Sequence, residues 1–303
     1  MAVGRFAPSP TGELHIGNLR TALLAWLFAR AEGSAFLVRV EDLDDRVADR
    51  AHEAGQLADL RAIGLDWDGD VVRQSERREL YDAAIDRLVA GGLTYECTCT
   101  RREIREAASA AHGEAPEGAY PGTCRRLDAA ERARRAAEGR PAALRLDAQV
   151  ASITFVDRVH GPYEGLVDDV VLRRNDGVPA YNLAVVVDDA DQGVEEVVRG
   201  DDLLSSTPRQ LHLADLLHAP RPAHAHVPLV LGPDGKRMAK RHGAVTLADR
   251  AAQGETPALV LSHLATSLGL AEPGELLTPG ELVDRFDPTT LPRQPWIVDP
   301  DQL

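Results

Sequence analysis

The first forty-one residues admit few folds. An apolar stretch from Val3 to Ala7 runs into Pro8-Ser9-Pro10-Thr11-Gly12. Two prolines and a glycine cannot continue a strand, so the chain turns there. From Ile16 to about Ala31 the apolar residues Leu19, Leu23, Trp26 and Leu27 recur at helical spacing, and Gly33 supplies a stop. Ala35 to Glu41 reads as a second strand, apolar almost throughout except for Arg39, as expected of a strand buried on both faces of a parallel sheet. Helices over Asp49–Ile63 and Ser75–Ala90 follow, the second closed by Gly91-Gly92. This alternation predicts an α/β fold built on a doubly wound parallel sheet.

The rhythm breaks between Thr94 and Gly177. That stretch holds all three cysteines, a charged helix near Asp128–Glu138 and short strands near Ala143–Leu146, Ile153–Asp157 and Val167–Arg173. It reads as an insertion between two halves of the sheet. Alternation resumes with a helix at Ala180–Val187, a strand at Val194–Arg199, a helix at Thr207–Leu217 and a strand at Val227–Leu231. The end of the chain, Pro257–Leu268 for instance, reads as mostly helical. The expected organisation is 1–93 and 178–242 for the two halves of one domain, 94–177 for the insertion and 243–303 for a helical C-terminal segment. A chain of 303 residues buries enough core to need no staples.

The formal charge is −14 and the pI near 5.2, which excludes a uniformly basic nucleic-acid coat. Any such contact must use a local patch. Residues 101–140 hold nine Arg against seven Asp or Glu, and Arg125, Arg126, Arg134 and Arg135 are the candidates there. No apolar run approaches the roughly 18 residues of a membrane span. Met1-Ala2-Val3-Gly4-Arg5-Phe6 lacks the basic-then-apolar pattern of an export signal, so a cytoplasmic protein is expected. Of the 34 basic residues only Lys236 and Lys240 are lysine, and they share one five-residue window. Lysine is a compact charge on a slim stem, so a site that needs that shape resists exchange for arginine.

The odd count of Cys97, Cys99 and Cys124 argues against a disulfide framework. Two thiols at i and i+2 with a third on a returning loop supply most of a tetrahedral zinc site. Spacing leaves the fourth ligand open between His112 and Tyr120. A metal would pin the Gly/Ala/Pro-rich stretch 107–122, which has little apolar content of its own.

Two segments carry polyphosphate chemistry. His15 and Gly17 fall where the first helix begins, and the free N–H groups and dipole of that end attract anions. Gly17 lets a ligand approach the backbone, and His15 can donate to a phosphate oxygen. Gly232-Pro233-Asp234-Gly235-Lys236-Arg237-Met238-Ala239-Lys240-Arg241 is a glycine-rich loop with four cations. It has neither Walker A spacing nor a dinucleotide-binding G-x-G-x-x-G counterpart after the first strand. It suits a polyphosphate whose charge grows during reaction.

These segments carry a resemblance. His15-Ile16-Gly17-Asn18 resembles the HIGH signature of class I aminoacyl-tRNA synthetases, and Arg237-Met238-Ala239-Lys240-Arg241 resembles their KMSKS loop. Arg5-Phe6-Ala7-Pro8-Ser9-Pro10-Thr11-Gly12 and Val198-Arg199-Gly200-Asp201-Asp202-Leu203 are similar to the glutamyl branch. Only 61 residues follow His242, too few for the anticodon-reading domain of a discriminating glutamyl-tRNA synthetase. The chain therefore resembles the truncated glutamyl-Q tRNA(Asp) synthetase family.

That resemblance implies a Rossmann-like catalytic domain with a zinc-containing α+β insertion, a short helical C-terminal segment and no anticodon-binding domain. It implies tRNA-independent activation of L-glutamate by ATP with Mg²⁺, giving glutamyl-adenylate. Transfer onto queuosine at the wobble position of the tRNA(Asp) anticodon stem-loop follows, by an enzyme expected to be monomeric. One structural Zn²⁺ would be held by Cys97, Cys99, Tyr120 and Cys124, because the family pattern is Cys-x-Cys, Tyr, x3, Cys. His15 and Lys240 are the implied catalytic residues, and these two with Gly17 and Asn18 would bind ATP. Arg5, Phe6, Ala7, Pro8, Ser9, Glu41, Tyr181 and Arg199 would bind glutamate, with Arg5 and Arg199 on carboxylates and Glu41 on the ammonium. Asn18 replaces the last His of HIGH, and Arg237 and Ala239 replace Lys and Ser of the loop, from which slower activation is expected. Lys236 lies outside the signature. Two other readings stay open: a fragment of a glutamyl-tRNA synthetase charging the 3′ end of tRNA(Glu), and a non-catalytic synthetase-like regulatory module.

Overall fold

The computed structural model describes residues 2–100, 102–104, 119–238, 243 and 245–299. Strands β1 (Gly4–Phe6), β2 (Phe36–Val40), β3 (Val72–Arg73), β4 (Thr94–Cys97), β5 (Ala143–Leu146), β6 (Ser152–Asp157), β7 (Gly161–Leu166), β8 (Val171–Arg173), β9 (Glu196–Gly200), β10 (Ala223–Val227), β11 (Val230–Leu231) and β12 (Trp296–Ile297) form three sheets. The largest runs in the order β3-β2-β1-β9-β10-β6-β7 and is parallel except for the β6–β7 hairpin. Its neighbours β1 and β9 lie nearly 200 residues apart in sequence, so the order of winding reverses between them. In open α/β sheets that reversal opens a crevice at the carboxyl ends of the strands.

Helix α1 (Ile16–Ala31) is apolar on every side, with Leu19, Ala22, Leu23 and Leu27 fully buried. Such a helix needs cover all round. One side packs on β1, β2 and β9, and another meets the C-terminal helices α8 (Pro257–Ser267) and α9 (Pro279–Arg285). The approach to β1 is close because Gly4 has no side chain: a Cβ there would sit 3.1 Å from Cβ of Ala29. The buried Arg20 ties the layers together, donating from Nε to Ser267 Oγ (2.9 Å) and from Nη1 to Pro228 O (2.9 Å).

Among the described residues the chain also forms α2 (Arg50–Ala62), α3 (Arg78–Ala90), α4 (Ala129–Ala137), α5 (Tyr181–Asp191), α6 (Thr207–Leu216) and α7 (Leu247–Ala252). A second apolar cluster joins α3, α5 and α6 to the antiparallel sheet β4-β5-β8.

The stretch 94–177, expected as one insertion, divides in the sheet plan. Strands β4, β5 and β8 form their own sheet, whereas β6 pairs in parallel with β10 and brings β7 to the edge of the central sheet. Asp157 at the end of β6 explains the docking: its carboxylate accepts the N–H groups of Val159, His160 and His226. The strand expected at Val167–Arg173 shortens to β8 because Asp168 and Asp169 turn to accept the N–H groups of Tyr120 and Ala148. The strand expected at Val227–Leu231 breaks into β10 and β11 around Pro228, which has no N–H to give a ladder. Leu23→Ala removes a fully buried side chain between sheet and helices. It should lower the unfolding free energy by about 2–5 kcal/mol in urea titration, whereas Val89→Ala on the solvent side should change it by less than about 0.5 kcal/mol.

Candidate active site

A cavity of about 420 Å³ opens at the carboxyl ends of β1, β2 and β9. β1 supplies Arg5 and Phe6, the turn after it Ala7, Pro8 and Ser9, and the start of α1 His15, Gly17 and Asn18. Glu41, Tyr181 and Arg199 complete the ring from β2, α5 and β9. Every expected glutamate- or nucleotide-binding residue within the described part thus lines one cavity. Lys240 lies outside the described residues, as do Ala239 and His112.

The start of α1 is closed by a reciprocal cap. His15 Nδ1 accepts the N–H of Asn18 (3.2 Å), and Asn18 Oδ1 accepts the N–H of His15 (3.1 Å). A ring nitrogen that accepts carries no proton, so the neutral imidazole keeps its N–H on Nε2. Burial, with Arg237 nearby, lowers the His15 pKa to about 4, so the ring is neutral at pH 7. It is a hydrogen-bond donor there and not a cation. Asn18, in the place of a final His, is engaged in this cap. Gly17 packs directly on the ring: an added Cβ would lie 3.0 Å from Cε1 and Nδ1 of His15 and 3.3 Å from Cβ of Val230.

Behind two of the lining residues, Arg5 and Glu41, lies a buried charge lattice. Arg39, which is fully buried, donates from Nη1 to Asp189 Oδ1 (2.6 Å) and Gln192 Oε1 (2.9 Å), and its Nη2 lies 3.5 Å from Glu41 Oε1. Arg5 donates from Nε to the same Asp189 oxygen (3.4 Å) and from Nη1 to Val198 O (3.4 Å). Burial opposes ionisation of Asp189, but Arg39 and Arg5 outweigh it and bring its pKa down to about 2. Burial raises the Glu41 pKa against the pull of the same two arginines. An ammonium group bound beside Glu41 would relieve that penalty.

Arg199 donates from Nε to His226 Nε2 (3.1 Å) and from Nη2 to Thr207 Oγ1 (2.8 Å). Among the described residues this leaves Nη1 of Arg199 and Nη2 of Arg5 without a protein partner. Each arginine therefore offers one terminal nitrogen rather than an empty fork. Arg39, Asp189, Gln192, Thr207, His226 and Asp157 were not legible as site residues, since none belongs to a recognisable signature. The sequence hints were Arg39 within an otherwise apolar strand and the alternation His224-Ala225-His226, which puts two imidazoles on one face of a strand.

The basic segment is fastened on both sides. Met238 donates its N–H to Val230 O (3.1 Å), and Val245 O accepts the N–H of Ile16 (2.8 Å) at the start of α1. Arg237 pairs with Asp202 (2.8 Å) and lines the cavity.

A second cluster lies beside β4. The sulfurs of Cys97, Cys99 and Cys124 all fall within 4.8 Å of one another. Tyr120 Oη is 3.3 Å from Cys97 Sγ and 3.7 Å from Cys99 Sγ, and it accepts the N–H of Cys124 (2.8 Å). Arg145 stacks on the Tyr120 ring at 3.7 Å, and Asp168 accepts the Tyr120 N–H. Three thiols, from the end of β4 with the residues after it and from the loop bearing Cys124, are ligands that zinc takes, and the Tyr120 oxygen is the fourth donor beside them.

The arginine patch reads differently in three dimensions. Arg125 is held by Asp147 and Asp169 (both 3.0 Å), and Arg134 by Glu131 (2.6 Å). Arg135 Nη1 lies 3.8 Å from Cys99 Sγ and Cys124 Sγ. Arg126 is exposed, and the Arg134 side chain, though paired with Glu131, is 66% exposed.

The family described as tRNA synthetases class I (E and Q), catalytic domain, matches residues 1–303. A glutamyl-Q tRNA(Asp) synthetase of Nocardia farcinica is 65% identical over 300 residues, covering 99% of this chain and 94% of its own. The protein of that name from Symbiobacterium thermophilum is 52% identical over 308 residues, covering 97% and 95%. The chain belongs to the class I tRNA synthetase family. A glutamate–tRNA ligase of Nitratidesulfovibrio vulgaris is 41% identical over 304 residues, covering 99% of this synthetase but 64% of the ligase. The crystal structure of a glutamate tRNA ligase from Elizabethkingia meningosepticum, in complex with its amino acid, aligns with a TM-score of 0.81 at 28% identity. This synthetase spans 66% of that chain, with 98% of its own residues covered. It is thus a ligase with the class I α/β fold and a mostly parallel central sheet.

Gly17→Ala should tilt the His15 ring of this synthetase while sparing the fold. The expected result is a fall in kcat of amino-acid-dependent pyrophosphate exchange by at least about tenfold, with a thermal midpoint within a few degrees of wild type. A wild-type kcat would contradict this use of Gly17.

Proposed function

We propose that the enzyme activates L-glutamate with ATP and Mg²⁺ in the absence of tRNA, and transfers the glutamyl group to queuosine at the wobble position of tRNA(Asp). The convergence of Arg5, Arg199 and Glu41 on the cavity that His15 overlooks carries this reading. An amino acid with two carboxylates and one ammonium matches two cationic ends and one buried carboxylate. The carboxylate oxygen of glutamate attacks the α-phosphorus in line, and pyrophosphate leaves with the electron pair of the broken P–O bond. Nε2–H of His15 donates to the α-phosphate as charge builds, and the Lys240 ammonium neutralises the departing pyrophosphate. Each such donor is worth roughly 3–4 kcal/mol in a transition state. The higher identity to proteins named glutamyl-Q tRNA(Asp) synthetase, 65% and 52% against 41% for a glutamate–tRNA ligase, supports queuosine over the 3′ end as acceptor. The reaction belongs in the cytoplasm, with the tRNA.

Two substrates separate the acceptors. Labelled glutamate should load onto queuosine-containing tRNA(Asp) that lacks its 3′-terminal adenosine, and not onto tRNA(Asp) with guanosine at the wobble position. Loading that needs the terminal adenosine and ignores the wobble base would mean 3′ charging. Absence of glutamate-dependent pyrophosphate exchange would favour a regulatory module instead.

The residues Cys97, Cys99, Tyr120 and Cys124 hold one structural zinc in this reading. Held by these residues, zinc would tie the loop bearing Tyr120 and Cys124 to the end of β4. Elemental analysis should find about one zinc per chain, and Cys99→Ala should lose it and speed tryptic cleavage within 98–140. A metal-free wild type with the same cleavage rate would refute the assignment.

A further inference from the structure

We infer that His226 and Asp157 are positioning residues for amino-acid recognition: they set the angle and exposed edge of the Arg199 guanidinium. The inference rests on the reading of Arg199 as a glutamate anchor.

The strand register starts the argument. In the β9–β10 ladder His226 is the direct partner of Arg199, so their side chains share a face of the sheet. Asp157 at the end of β6 reaches the far side of the imidazole, with Oδ2 2.6 Å from His226 Nδ1. A carboxylate only accepts, so Nδ1 carries the proton and Nε2 presents a lone pair. That lone pair receives Nε–H of Arg199 at 3.1 Å. Thr207 Oγ1 closes a ring, 2.8 Å from Arg199 Nη2 and 3.0 Å from His226 Nε2. The imidazole plane is itself fixed, stacked on His224 at 5.8 Å with 4° between the rings.

Two of the three guanidinium nitrogens are therefore held before any ligand arrives. The third, Nη1, is left for a ligand. Arg199 lines the cavity, whereas His226, Asp157 and Thr207 do not. These three act on a bound molecule only through the arginine. A histidine suits the task because one ring passes a fixed direction from a carboxylate to a guanidinium, and its neutral form adds no second cation beside Arg199.

The test compares amide replacements at position 226 by glutamate-dependent pyrophosphate exchange. His226→Asn puts its amide near the place of Nδ1, keeping a partner for Asp157 and losing Arg199. His226→Gln reaches the place of Nε2 and retains an acceptor for Arg199. The inference expects His226→Asn to raise the KM for glutamate by about tenfold or more, the scale of a lost hydrogen bond to a charged group. The KM for ATP should stay within about twofold, and His226→Gln should recover most of the loss. Equal rises in both KM values, or an unchanged KM for glutamate in His226→Asn, overturns it. Should the Asn variant not fold, Thr207→Val, nearly isosteric, must still raise the KM for glutamate severalfold and leave that for ATP alone; no split overturns the inference. Arg199→Lys separates the two levels. If it leaves the KM for glutamate unchanged, the anchor reading itself fails; if it raises that KM while His226→Asn does not, the positioning role alone fails.

Discussion

Arg39 holds together the charge lattice behind the cavity. It sits one residue from the carboxyl end of β2 with no access to water, in a strand otherwise built of apolar residues. A lone buried guanidinium would be ruinous, yet this one neutralises Asp189 and steadies Glu41, and Asp189 in turn steadies Arg5. Removing one partner of such a lattice typically costs about 3–5 kcal/mol, because the charges left behind stay buried. The lattice also fixes chemistry. It keeps Asp189 ionised, leaves Glu41 short of compensation and so receptive to an ammonium, and leaves one nitrogen of Arg5 for a carboxylate.

Apart from that lattice, the first turn of α1 solves a different problem. A helix start leaves N–H groups without partners, and one of them, on Asn18, is satisfied by His15. The same bond chooses the tautomer that points a proton outward. Burial then keeps the ring uncharged at pH 7, so the site holds its positive charge on Arg5, Arg199 and Arg237 and uses His15 as a neutral donor. Gly17 follows from this arrangement, because a Cβ there would crowd the imidazole at 3.0 Å.

Much of this was legible in the residues. The bounds of α1, the turn before it, the buried character of β2 and the oddity of Arg39 are all local features, set by periodicity, proline and glycine. The convergence of Arg5, Glu41, Tyr181 and Arg199 came from family signatures, and the fold brings them to one cavity. What stayed hidden depends on pairing across distance. Nothing near Arg39 announces Asp189, 150 positions on, and the His224-Ala225-His226 alternation acquires meaning only when the β9–β10 register names Arg199 as neighbour. The stretch 94–177 looked uniform because its strands are short, and the tie that the carboxylate of Asp157 makes between β6 and β10 is a contact across distance. Counting arginines over 101–140 shows a mildly positive patch, but not that Arg125, Arg134 and Arg135 have acids and sulfurs close by.

The central claim is that the two arginine ends and the imidazole act on one ligand at once. A crystal structure with a non-hydrolysable glutamyl-adenylate analogue tests this directly. The account predicts glutamyl oxygens within hydrogen-bond distance of Arg5 and Arg199, the ammonium at Glu41, and an oxygen of the phosphate mimic at Nε2 of His15. An analogue seated with its phosphate mimic out of reach of His15, or with no oxygen at either arginine, would contradict it.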